Sequence, residues 1–259
     1  MAFVLKLAAN RNLLKNLVLR DLKHRYIGSM GGLVWSVVHP LVQLISYTFV
    51  FTVIFKQRPL AQYGTDSFPI FLFCGLVPWI LFSDTVMRSC NVIVENSSLI
   101  TKTVMPAEML PVAIMLSNLI HHAIGLSILF AVLLAFHTIH LSALGIFLYL
   151  PMLILLAQGL AWFFAGMQVF LRDTIQALQI LMLLWLWFTP IFYALPDEYR
   201  FLTMLNPMAL IVTGYRNSLL NVTPPDAFAT IVVALISIAV FVLGGLVFKQ
   251  AKPGFADVL

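Results

Sequence analysis

The chain has 259 residues, of which 61% are hydrophobic and 10% charged, with a formal net charge of +5, and its mean hydropathy is +1.00. A soluble domain carries about 25% charged residues, so a deficit spread over the whole length excludes a soluble globular protein and marks a polytopic membrane protein. The basic residues sit between apolar runs instead of on one patch, which excludes a nucleic-acid partner.

Met1 to Arg25 has no apolar core followed by a small-residue cleavage site, so no cleavable signal peptide is expected. Residues 10–25 carry Arg11, Lys15, Arg20, Lys23 and Arg25. Leu13, Leu14, Leu17, Val18 and Leu22 recur at the spacing of a helical stripe, interrupted by Asp21 and with Leu19 off the stripe. The spacing predicts a helix lying in the headgroup layer, over a plain basic tail. The basic segment then runs through Tyr26 into the apolar stretch around Trp35, Pro40 and Leu41. Arg, Lys or Asp at a helix centre costs roughly 2.5–3.5 kcal/mol on insertion scales, so this junction belongs at a membrane surface.

Six apolar runs follow, at about 31–55, 68–87, 109–136, 143–171, 174–194 and 227–248. Each matches the ~20 residues that a helical span needs. The fold class expected is therefore all-α, with a segment 1–29 at the membrane surface, a transmembrane domain over 30–250 and a tail over 251–259. With six spans, eleven Lys and Arg fall on the side of both termini, and four (Lys56, Arg58, Arg200 and Arg216) on the other. That imbalance places both termini in the cytoplasm.

The loop at 88–107 offers Asn96, Ser97 and Ser98 as helix starts and Pro106 as a stop. A short helix there would present Leu99, Ile100 and Val104 to the cytoplasm. Spacing alone leaves open whether it docks a soluble partner or is an ordinary loop. Residues 203–220 are apolar but contain Asn206-Pro207, Gly214, Arg216 and Asn217. Those residues are costly at mid-bilayer, and a seventh span would put the termini on opposite sides. Two short external re-entrant helices are expected instead, since broken backbone is tolerated where protein buries it.

The chain has no G-x-x-x-x-G-K-[ST] phosphate loop and no cofactor fingerprint. His121-His122 point to different sides of a helix, and His137-x-x-His140 lies in a short turn, so no metal site is expected. Cys74 and Cys90 form no disulfide framework; Cys74 lies within an apolar run, as a small buried hydrophobe. Asp84 and Arg88 stand one helical turn apart, as an i,i+4 pair. No relay of intramembrane acids is present. The spans are instead rich in aromatic rings, on which sugars stack by their C–H faces. Trp185 and Trp187 fall mid-span, away from an interfacial belt, and with Tyr47 are the candidates for lining a path. Two residues apart, the tryptophans diverge by about 200° around the helix, so one lines it and the other packs.

One series of motifs runs along nearly the whole chain. It comprises Arg20-Asp21-Leu22-Lys23-x-Arg25-Tyr26-x-Gly28-Ser29 with Gly32, Trp35 and Pro40, then Gly75-Leu76-x-Pro78-Trp79. Next come Asn96-x-x-Leu99-Ile100-x-Lys102-x-x-x-Pro106-x-Glu108, Arg172-Asp173, Thr189-Pro190-Ile191, Asn206-Pro207 and Pro253-Gly254-Phe255-Ala256-Asp257. In this order they resemble the permease subunit of bacterial ATP-binding-cassette exporters of cell-surface polysaccharides. The resemblance implies a homodimer enclosing a channel in the inner membrane, with two copies of a separate ATPase that binds ATP and Mg²⁺. It implies that this chain carries no cofactor and is not itself an enzyme. By position, Arg20, Asp21, Lys23, Arg25 and Tyr26 match an interface helix at the substrate's point of access. Asn96, Leu99, Ile100 and Lys102 match a coupling helix docked in the ATPase. Asn206, Pro207, Tyr215 and Arg216 match the re-entrant helices gating the external exit. The implied cargo is a lipid-linked glycan. The competing readings are a drug or small-lipid exporter of the same superfamily and an ion-coupled secondary carrier; the missing relay counts against the latter.

Overall fold

A computed structural model describes residues 10–26, 34–56, 65, 67–102, 105–135, 140–193, 201–220 and 224–259. The side chains of Tyr26 and Lys102, the Gly28-Ser29 motif, Val104, His137 and Arg200 lie outside the described residues. The described residues are helical, with no strand among them. In chain order the helices are α1 (Arg11–Tyr26), α2 (Val34–Thr48, running on as a π-helix over Phe49–Ile54), α3 (Phe68–Glu95) and α4 (Ser97–Lys102). Then come α5 (Met109–Ala135), α6 (Ile146–Phe170, entered through a 3₁₀ turn over Leu141–Gly145) and α7 (Thr174–Phe188). The chain ends with α8 (Phe201–Leu205), α9 (Pro207–Leu220), α10 (Ala227–Ala251), a 3₁₀ turn over Lys252–Gly254 and α11 (Phe255–Val258).

Among the described residues four helical stretches are long and apolar enough to cross a membrane: Phe68–Glu95, Met109–Ala135, Leu141–Phe170 and Ala227–Val258. Two shorter apolar helices, Leu41–Ile54 and Thr174–Phe188, fall within the other two expected runs. The protein is all-α and polytopic. Its organising helix is α3, which is buried along most of its length and packs against α2, α5, α6, α7 and α9. Two helices end elsewhere than the apolar runs that contain them. The second run extends past residue 87 to Glu95, because Cys90, Val92 and Ile93 are buried against protein. At 28 residues, this helix is about 42 Å long, well beyond the ~30 Å of a bilayer core. The fifth run stops at Phe188, short of 194, because Pro190 turns the chain out and holds Thr189 in extended backbone.

Helices α6 and α10 form the closest pair. A Cβ on Gly159 would lie 2.5 Å from the Val240 carbonyl oxygen, and one on Gly244 2.0 Å from the Gly159 oxygen. Two glycines are thus what lets the backbones touch, the small-residue contact typical of helices in membranes. At one end of this pair the C-terminal residues fold back. Phe255 is buried against Phe170 and Phe248, and Lys252 Nζ donates to Glu108 Oε2 at 2.5 Å. The apolar stripe of α1 turns to protein: Leu17 is buried in a cluster with Val92, Leu110, Ala113 and Ile114, and Leu13, Leu14 and Val18 pack on that cluster. Leu19, off the stripe, is exposed.

Candidate functional site

Arg20, Asp21 and Arg25 sit on α1 where it passes the end of α3 and the first half of α5. Asp21 accepts from Arg88 on α3 at 2.5 Å and lies 3.7 Å from Arg25 on its own helix. Asn118 on α5 closes the ring: its Oδ1 accepts from both Arg25 and Arg88, and its Nδ2 donates to Thr85 Oγ1 at 2.9 Å. Arg88 thus meets the carboxylate of Asp21, 67 residues away. Arg20 and Arg88 both line a cavity of about 770 Å³ between these helices, together with Glu95 and Asn96. Lys23 is exposed.

Asn96 is the joint between α3 and α4. Its carbonyl oxygen accepts from the backbone of Leu99 and Ile100, at 3.0 and 3.3 Å, which starts α4. Its side chain faces the other way: Nδ2 donates to the Val92 carbonyl at 2.9 Å, and Oδ1 accepts from Arg20 at 2.6 Å. So α1 is tied directly to the helix pair that carries α4. Within α4, Ile100 packs on the same cluster as Leu17, Leu99 is half-buried, and Ser98 and Thr101 are exposed.

The aromatic candidates part as periodicity requires. Trp185 is half-buried; its ring meets Phe82 edge-on, with centroids 5.0 Å apart, and its Nε1 donates to Asn206 Oδ1 at 2.9 Å. Trp187 is 53% exposed and touches Phe192. Tyr47 reaches the same Phe192, at 4.8 Å. Asn206 caps α9, accepting from the backbone of Met208 at 3.0 Å and Ala209 at 3.3 Å. Its Nδ2 meanwhile donates to Thr189 Oγ1 at 3.0 Å. Pro207 follows as the first residue of α9, where its missing N–H costs nothing.

Helix α9 lies in the core. Tyr215 is fully buried, its hydroxyl 3.2 Å from His122 Nε2. Arg216 is 3% exposed. Its Nε donates to the Phe71 carbonyl at 3.2 Å, its Nη1 to that of Pro190 and its Nη2 to that of Ile191 at 2.6 Å. The guanidinium lies 3.7 Å over the Phe71 ring. Gly75 makes the room, since a Cβ there would sit 2.7 Å from Nη2. Both side chains are buried. Sequence reasoning singled out neither Asn118 nor the Tyr215 partner of His122; a lone Asn within the apolar run 109–136 was the available signal. Among the described residues no group of three or more metal-ligating side chains converges.

Apolar helices assembled round α3, with a basic helix and a short linking helix at one end, make a polytopic membrane protein. The chain belongs to the ABC-2 type transporter family, whose model matches residues 12–220. It is 30% identical over 255 residues, 95% of each chain, to the O-antigen export system permease protein RfbA of Myxococcus xanthus. It is 27% identical over 245 residues to RfbA of Klebsiella pneumoniae, covering 93% of this chain and 92% of that one. It is 25% identical over 209 residues to the polysialic acid transport protein KpsM of Escherichia coli, covering 79% and 80%.

Proposed function

We propose that this chain is the membrane-spanning subunit of an ATP-driven exporter that moves a lipid-linked polysaccharide, of O-antigen or capsule type, across a bacterial inner membrane. The observation that carries this reading is the end-to-end match, over 95% of both chains, to a protein named for O-antigen export. Two copies would enclose the path, and two copies of a separate ATPase, holding ATP and Mg²⁺, would dock on α4. Six crossings with both termini in the cytoplasm follow from the distribution of basic residues.

The test is removal of the gene from its host. Surface glycan should disappear while lipid-linked glycan builds up inside, and the gene returned on a plasmid should restore export. The purified chain alone should hydrolyse no ATP, and the chain co-purified with its ATPase should. A reporter fused after Leu259 should read cytoplasmic and one inserted at Tyr63 external. Surface glycan that persists in the deletion strain overturns the reading.

The two tryptophans separate path from packing. Trp185→Ala removes a hydrogen bond to Asn206 and an edge contact to Phe82. It should lower membrane abundance, with a stability loss of roughly 2–4 kcal/mol. Trp187→Ala removes an exposed ring. It should leave abundance unchanged and slow export. Wild-type export from Trp187→Ala would take that ring out of the path.

A further inference from the structure

A groove of about 590 Å³ runs between α1 and α5. It shares no lining residue with the 770 Å³ cavity, to which α1 turns Arg20, Asp21 and Arg25. Eight of its ten lining residues are apolar, from Leu14 to Leu22 on α1 and from Leu116 to Ala123 on α5, so its wall suits a hydrocarbon chain. That wall is open, with Leu19 and Ile120 each 43% exposed. The other two residues are Arg11 and Lys15, one helical turn apart on α1. Both are exposed. No acidic side chain lines the groove, and among the described residues neither cation enters an ion pair. Like charges at this spacing repel along a helix, and an anion held between them removes that cost.

Wall and cations together select the occupant. Free phosphate would meet both cations and leave the apolar wall uncovered. A neutral lipid would cover the wall and bring the cations no counter-charge. A second copy of the chain, packed here about a twofold axis, would present its own Arg11 and Lys15 to a face without a carboxylate. A cargo lipid needs a way onward, and no residue of the groove belongs to the 770 Å³ cavity or to the aromatic candidates. An anionic phospholipid uses every part. An acyl chain lies along the leucines, and its phosphate oxygens accept from the Arg11 guanidinium and the Lys15 ammonium. Such a lipid would hold α1 at the headgroup layer, and Arg20 on the same helix donates to Asn96, the joint between α3 and α4, at 2.6 Å.

We propose that the groove between α1 and α5 is a binding site for a resident anionic phospholipid, which fastens α1 to the membrane surface. The site requires that the chain lie in a membrane and is independent of the cargo it exports.

The test titrates the full chain, purified in neutral detergent, with phosphatidylglycerol or with phosphatidylcholine of the same acyl chains, and counts bound lipid by native mass spectrometry. The parent should bind phosphatidylglycerol about thirtyfold more tightly, the scale of two basic side chains beside an anionic headgroup. Arg11→Gln with Lys15→Gln should bring the two lipids to parity. Its thermal midpoint without lipid should match the parent's, because both side chains are exposed. Lys249→Gln removes an exposed cation outside the groove and should keep the preference. Ala123→Met enlarges an exposed lining residue and should weaken both lipids while the preference remains. Equal affinity of the parent for the two lipids, or a preference that survives the double change, overturns the site. Lipid extracted from the chain as purified from glycan-producing cells should be enriched in anionic phospholipid. Enrichment instead in the glycan's own carrier, lost in the double variant, would make the groove a cargo site and also overturn the proposal. None of these results touches the export reading, which the deletion strain decides.

Discussion

Arg216→Met should be among the most destabilising single changes in this protein. Three backbone carbonyls, of Phe71, Pro190 and Ile191, accept from the buried guanidinium. They belong to the first turn of α3 and to the turn after α7, so one side chain on α9 joins three elements. The Pro190 and Ile191 carbonyls lie just beyond the C-terminal end of α7, where a helix presents partial negative charge. Each buried acceptor left without its donor costs about 1–3 kcal/mol. The lost stacking over Phe71 adds about 1 kcal/mol, and methionine refills some of the volume but none of the bonds. Membrane abundance and the midpoint of thermal aggregation in detergent should both fall steeply. Arg216→Lys should fall less far but still clearly, because one ammonium on a flexible stem cannot reproduce a planar fork aimed at three oxygens. If Arg216→Met is as abundant and heat-resistant as the parent yet exports no glycan, the residue acts in gating, and the staple described here is not what holds α9.

Arg216 shows where a reading of sequence stops. Its cost at membrane depth is legible, and that cost rightly broke 203–220 into two short helices at Asn206-Pro207. Its partners are backbone carbonyls up to 145 residues away, and no residue pattern announces a carbonyl. The apolar runs were legible because a helix in lipid must hide its backbone and cover itself with apolar side chains. Their ends were less so. Hydropathy places the end of the second run at the membrane surface, whereas α3 runs on to Glu95 on protein contacts. The local i,i+4 rule offered Arg88 only Asp84; the packing of α1 brings it Asp21, which no local spacing announces. Helical spacing required Trp185 and Trp187 to diverge. Which of them turns inward is marked by Asn206, the cap of α9, 21 residues from Trp185, which accepts from its indole.

The partner-docking role proposed for α4 can be separated from its packing. Ile100 lies on the cluster that also holds Leu17, Val92 and Ile93, whereas Leu99 is half-buried and is not among that cluster's residues. An aspartate at either position meets a different environment. Ile100→Asp puts a carboxylate beside apolar protein of the same chain, so abundance should drop along with export. Leu99→Asp should leave the purified chain as stable as the parent. In the complex its carboxylate would be desolvated in the ATPase's docking cleft with no partner, at a cost of about 3–5 kcal/mol if fully buried. Export should therefore fall by two orders of magnitude or more at that cost, and co-purification of the ATPase should weaken. The double change Leu99→Asp with Ile100→Asp should show both defects. The joint at Asn96 gives a milder companion. Asn96→Ala keeps the backbone start of α4 but removes the acceptor for Arg20, so α4 should still bind the ATPase while its link to α1 is lost. Nucleotide hydrolysis should then continue with reduced export. If Leu99→Asp exports at the parental rate with its ATPase bound, α4 is an ordinary connecting helix and the docking surface lies elsewhere on this face.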